Sequence, residues 1–182
     1  ELNDEKISMN QASMNLLKGS MIMCGFYETT DSLKPSFDFD VNIIDFDLQE
    51  TVKNFNTVEQ LVPVAKYGRG LYSTNMVVKG RLTKNMDQRY ETLTGEGSVK
   101  TKSIAIEGYE PLEKVADLIK YDRITPLLIN DANITVRLSE GKVFIDPFTN
   151  KIGNTEMRIS GSNSFEQTID YLFSFAISRE EF

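Results

Sequence analysis

The dominant hydrophobic period along the chain is two. In "SFDFDVNI" (36–43), Phe37, Phe39, Val41 and Ile43 alternate with Asp38, Asp40 and Asn42. That is the pattern of a strand with one face in an apolar environment. The phase then slips, because Phe46 and Leu48 fall on even positions. A slip inside a strand predicts a bulge or bend. "LYSTNMVVKGRL" places Tyr72, Thr74, Met76, Val78 and Leu82 on one face. "LTGEGSVKT" alternates weakly through Leu93 and Val99, with Gly95 and Gly97 between them. "NITVRL" and "KVFID" predict a hairpin across "SEGK", with Gly141 supplying a positive φ. "TEMRISG" and "TIDYLFSFAI" predict a last hairpin, whose second strand carries Ile169, Tyr171, Phe173, Phe175 and Ile177 on one face.

Two stretches switch to helical spacing. In "QETVKNFNTVEQLVPVAKYGRG", Val52, Phe55, Leu61, Val62 and Ala65 share a stripe. Thr57 and Gln60 have the spacing of a capping box, and Pro63 divides the stretch, so two short pieces ending near Tyr67–Gly68 are expected. In "EPLEKVADLIKY", Pro111 suits a first turn, and Leu112, Val115, Ala116 and Ile119 follow helical spacing. A loose repeat links "GSMIMCGFYETTDSLKPSFDFDVNI" with "GNTEMRISGSNSFEQTIDYLFSFAI". Each has a short strand, a glycine two residues after an apolar one, a polar turn and an aromatic strand. Antiparallel hairpins laid side by side explain this plan, with the glycines marking bends. No Pro/Gly/Ser linker divides the chain, so 1–182 is expected to be one domain. The fold class is α+β: a strongly bent antiparallel sheet of about seven to nine strands carrying two or three short helices.

Composition narrows the chemistry. The 182 residues include no histidine and one cysteine, and the net charge is −7. Without histidine, the commonest general base and the commonest metal ligand are both missing. A lone Cys24 excludes an internal disulfide and a thiolate metal cluster, and reads as a buried strand thiol. An acidic chain with no lysine–arginine block lacks the footprint of a nucleic-acid binder. No apolar run is long enough to span a bilayer as a helix. The opening "ELNDEKIS" has no methionine, which suggests a processed protein or a piece of a longer one, with any anchor removed.

The candidate constellations are weak. Asp38, Asp40 and Asn42 open like a calcium loop, but Ile43 stands where glycine is needed and Gln49 where the bidentate glutamate is needed. They read as a solvated strand face. "GEGSVK" lacks the second half of either phosphate-loop signature and sits in strand context. No catalytic residues, metal ligands or cofactor are therefore assigned. What remains is the apolar strand face, represented by Phe37, Phe39, Val41, Tyr72, Met76, Val78, Ile169, Tyr171, Phe173 and Phe175. It forms either an internal core under the helices or, in part, an uncovered groove for acyl chains.

A resemblance bears on that choice. The region "KIGNTEMRISGSNSFEQTIDY" resembles the C-terminal part of AsmA-like proteins of the Bacteroidetes type, through Gly153, Ser160, Gly161, Gln167, Thr168, Asp170 and Tyr171, together with Phe148, Ile152, Met157, Ile159, Ser162 and Ile169. "KGRLTKNMDQRYETLTGEGSVKTKSIAI" and "EGKVFIDPF" are similar to two further segments of that family. Gln88 stands where proline is usual, and Phe165–Glu166 where Leu–Asp is usual. The resemblance runs from about Met14 onward and is strongest from Gly80 to Tyr171. It implies a non-catalytic module of a cell-envelope protein. That protein would be tethered to the inner membrane by a missing N-terminal helix, face the periplasm and serve outer-membrane biogenesis. The implied partners are phospholipid and other envelope proteins. The alternative is a structural or protein-interaction domain with a closed apolar core and no lipid of its own.

Overall fold

The computed structural model describes residues 2–3, 5–30, 34–119, 125–152, 155–166 and 168–176. Gly153, Gln167 and Ile177 lie outside the described residues. These residues form one open antiparallel sheet of eleven strands with short helices packed on it. The strands are β1 (Leu2–Asn3), β2 (Lys6–Leu16), β3 (Gly19–Glu28), β4 (Ser36–Asp47), β5 (Gly68–Arg81), β6 (Thr94–Ile106), β7 (Leu127–Asn130), β8 (Asn133–Ser139), β9 (Lys142–Ile152), β10 (Thr155–Ser164) and β11 (Ile169–Ala176). They follow chain order across the sheet, except that β7 shares one edge of β6 with β8. The α+β class expected from the alternation holds. The strand number is higher than expected because β1, β2 and β7 carry weak signals. β2 changes phase midway, where its pairing with β3 slips between Met9 and Ala12. β7 is only four residues long.

The phase slip after Ile43 is a bulge. β4 pairs Ile43 with Thr74 and then Phe46 with Tyr72, and Asp45 between them has φ +54°. The extra residue turns Phe46 inward, where it is 1% exposed and meets the Tyr72 ring edge-on, with centroids 6.3 Å apart. The Glu140–Gly141 turn between β8 and β9 has positive φ at both residues, +51° and +70°. This is the backbone that a two-residue hairpin favours.

Between β4 and β5 the chain forms α1 (Leu48–Asn54), α2 (Asn56–Leu61) and a 3-10 turn over Pro63–Tyr67. Asp47 caps α1 by accepting from the Glu50 amide at 3.1 Å. The expected Thr57–Gln60 capping box does not form. α2 starts at Asn56 behind Phe55, which provides no side-chain cap. The break at Phe55 also takes that ring off the shared stripe and leaves it 43% exposed. α3 (Glu110–Ile119) buries Leu112 and Ala116. These two meet Ile104, Ile106, Leu127, Ile129, Met157 and Ile159 in the main core. Sheet and helices thus share one hydrophobic layer.

Candidate functional site

Directly paired residues of antiparallel strands point to the same side of a sheet, so the registers define its faces. One row runs Ala12, Met23, Val41, Met76, Gly97, Val136, Ile145, Gly161, Tyr171. Every member is apolar, glycine or aromatic. The neighbouring row on that face runs Met9, Gly25, Phe39, Val78, Gly95, Leu138, Val143, Asn163, Ile169. The row between them faces the other way: Cys24, Asp40, Val77, Glu96, Arg137, Phe144, Ser162, Asp170. The sheet is thus amphipathic across its width, and its apolar side is continuous from β2 to β11.

The two halves of that apolar side are covered differently. Over β5–β11 lie α2, the 3-10 turn and α3. Leu61 packs on Val136, Leu138 and Val143. Beneath this layer is a cavity of about 260 Å³. Its floor includes Met76, Val99, Val136, Leu138, Ile145 and Ile159, and its roof includes Leu61, Val62, Val64 and Leu112. Tyr171 and Phe173 close one side. Met76 lies on β5 and Phe173 on β11, with β6, β8, β9 and β10 between them in the strand order. That two such distant strands border one cavity shows how far the sheet curls. Over most of β2–β4 the cover is missing among the described residues; at one rim Met86 reaches Tyr27, whose hydroxyl donates to its Sδ at 2.9 Å. In those three strands only Phe46 is buried. Met9, Met21, Met23, Phe37, Phe39 and Val41 are half-exposed. Met76 belongs to the cavity and is paired with Val41, so the lined space and the open face meet at that pair.

Among the described residues, polar side chains in the lining are limited to the phenols of Tyr109 and Tyr171. Burial pushes the Tyr171 hydroxyl up to about 12, with a smaller contribution from nearby Tyr109. Burial also raises Tyr109. Both phenols are neutral at physiological pH. The Tyr171 hydroxyl donates to Asn163 Oδ1 at 3.2 Å, and Asn163 Nδ2 donates to the Leu61 carbonyl. Asn163 is 1% exposed, so β10 ties both β11 and the end of α2 through one buried amide. The site therefore offers shape and apolar surface, with no charged group inside it among the described residues.

The face residues expected from sequence separate into groups. Met76, Tyr171 and Phe173 line the cavity. Val78 packs on the Val136–Leu138–Val143 cluster, while Tyr72 and Phe175 pack on the main core. The Tyr72 hydroxyl donates to Thr51 at 3.3 Å. Phe37 and Phe39 stack on each other on the open face, with centroids 5.9 Å apart. Ile169 keeps its register but is 41% exposed at the start of β11. Of the motif residues, Ser160 and Gly161 sit at a register break between β9 and β10, Thr168 shares a 2.6 Å hydroxyl contact with Ser164 in the turn, and Asp170 is exposed on the polar side. Cys24 differs from expectation. It is half-buried, and its register places it opposite Asp40 on the polar side. Asp38 pairs with Lys79 at 2.9 Å, and Asp40 is exposed. Among the described residues no cluster of three or more His, Cys, Asp or Glu is placed to hold a metal. Leu127, Ile129 and Tyr109 were not singled out from sequence. For Leu127 and Ile129 the alternation in "LLIN" was the only signal, and it is too short to separate a strand from a loop; Tyr109, just ahead of α3, carried none.

Comparison of the chain with protein-family models, with curated proteins and with solved structures returns no match.

Proposed function

We propose that this chain is a non-catalytic cell-envelope module, of AsmA-like type, that receives acyl chains on the apolar side of its sheet. One observation carries the reading: the apolar row from Ala12 to Tyr171 continues without a polar break from a half-covered cavity onto an uncovered face. The cavity of about 260 Å³ is slightly smaller than the roughly 300–1,000 Å³ of pockets that enclose a drug-sized ligand. It fits one segment of an apolar chain, and the rest would lie along β2–β4. The methionines there suit such a ligand, because thioether side chains adapt to variable apolar shapes. The motif resemblance adds the setting: the periplasmic side of the envelope, phospholipid as cargo, and outer-membrane biogenesis as the process. No described helix is long and apolar enough to cross a membrane. In this reading, tethering to the inner membrane belongs to the full-length protein.

Native mass spectrometry of detergent-free protein expressed in a Gram-negative host tests the proposal. Bound phospholipid is expected, and it should be lost in Phe39→Glu and Met23→Glu, whose side chains are half-exposed and tolerate a charge. A clean unliganded mass, together with no uptake of a fluorescent phospholipid from vesicles, would overturn it and favour the closed-core interaction domain.

A further inference from the structure

The two ends of the sheet are built differently. At one end, β2 has a register break between Met9 and Ala12, carries Asn10, Gln11, Ser13 and Asn15, and is covered at Lys6–Ile7 by β1. At the other end, β11 pairs with β10 from Ala176 to Ile169 without a break. Its sequence, IDYLFSFA, has one charge and no lysine or proline. Among the described residues no strand pairs with its outer edge. Leu172 projects from the polar side of this edge and is 64% exposed. Natural edge strands normally carry a charge, a proline or a bulge that prevents further pairing. β2 has a register break, a lysine and a covering strand, whereas β11 has only the single charge of Asp170.

We infer that two copies of this chain pair antiparallel through β11, about a two-fold axis that sets Leu172 opposite Leu172 of the second copy. This register places Tyr171 opposite Phe173 and Ile169 opposite Phe175, so the apolar sides of both sheets join. It also places Asp170 opposite Ser174 of the second copy, and Ser174 is paired in turn with Arg158 on β10. Asp170 and Arg158 then stand two strands apart on the same face, at roughly 9–10 Å between backbones, within reach of an arginine side chain. Both are exposed, and neither has an ionic partner among the described residues. The two-fold repeats the pair, giving complementary charge on each side of the axis. Sliding the register by two residues to bring Phe173 opposite itself puts Asp170 opposite Ala176, whose β10 partner is Glu156. Like charges then approach, so charge selects the register with Leu172 at the axis. The interface is isologous, as closed dimers require.

Sedimentation equilibrium over a micromolar concentration series reads the association. A dimer is expected, weakened by roughly tenfold or more in Leu172→Lys, where two like charges meet on the axis. Circular dichroism checks that this exposed substitution leaves the fold intact. Asp170→Arg should weaken the dimer, and Asp170→Arg combined with Arg158→Asp should restore it. In a Cys24→Ser background, Leu172→Cys should form an interchain disulfide under mild oxidation, whereas Ser174→Cys should not. A monomer throughout the series, a dimer unmoved by Leu172→Lys, or cross-linking at position 174 in preference to 172 would overturn the inference.

Discussion

At the residue scale, the repeated hairpin plan resolves into a matched pair of glycines. Gly25 has φ +145° and Gly161 φ +154°, and each faces an aromatic residue on the next strand, Phe39 and Tyr171. A Cβ on Gly25 would stand 2.0 Å from the Asp38 carbonyl oxygen and 2.7 Å from Phe39 Cδ1. On Gly161 it would stand 2.3 Å from the Asp170 carbonyl oxygen and 2.6 Å from Tyr171 Cδ1. Each ring thus lies over the glycine it faces, covering backbone that would otherwise be bare. Gly161→Ala should cost about 2–4 kcal/mol through strain and overlap, read as a lower urea midpoint. Little change would mean that the ring does not sit there. The spacing of glycine and aromatic was legible in the sequence, but the contact between them was not, because it depends on register. Tyr171 also gives a pH signature. Its folded value of about 12 lies above the ordinary phenol value near 10, so the unfolded chain loses its proton first. Stability from this group is complete below about pH 10 and falls, on the order of 2 kcal/mol, as pH rises through 12. Tyr171→Phe should flatten the alkaline decline in urea midpoint between those limits. An unchanged slope would place the phenol in water.

At the element scale, the helices show where local pattern ends and tertiary context begins. α3 was readable because Leu112, Val115 and Ala116 share one face, and Leu112 and Ala116 are buried. The stretch around α2 was readable as helical, and so was the break at Pro63, where α2 ends at Leu61 and the 3-10 turn begins; the additional break at Phe55 was not. α2 has six residues, no side-chain cap and no buried residue. Its position over the cavity rests on Leu61, Val62 and the Asn163 amide. Asn163→Ala removes the partner of the Leu61 carbonyl and of the Tyr171 hydroxyl, and should cost about 1–3 kcal/mol. Hydrogen exchange should accelerate over residues 56–67 ahead of the strands. Uniform acceleration across the sheet would show instead that Asn163 supports the whole fold. Asn150 has a similar role at the far side. It is 2% exposed, donates to the Leu128 carbonyl at 2.7 Å and accepts from the Asn130 amide at 3.3 Å, so a side chain joins β7 to β9 where no strand pairing does. Nothing in a local window announces a strand held this way.

At the scale of the whole molecule, alternation identified the apolar face but not what lies on it, because core and groove require the same pattern. The registers supply the missing information. One face carries an unbroken apolar row; among the described residues its β5–β11 part lies under helices, and its β2–β4 part does not. Phe39 and Asp40 are adjacent in sequence and point to opposite faces, which makes them a built-in control. The central claim is most directly tested with a photoreactive side chain placed at position 39, 40 or 173, and vesicles containing a phospholipid labelled in its acyl chain. Cross-linking at 39 and 173, with little at 40, is the expected result. Equal labelling at 39 and 40, or none at 39 and 173 in folded protein, would contradict an acyl-chain path along this face.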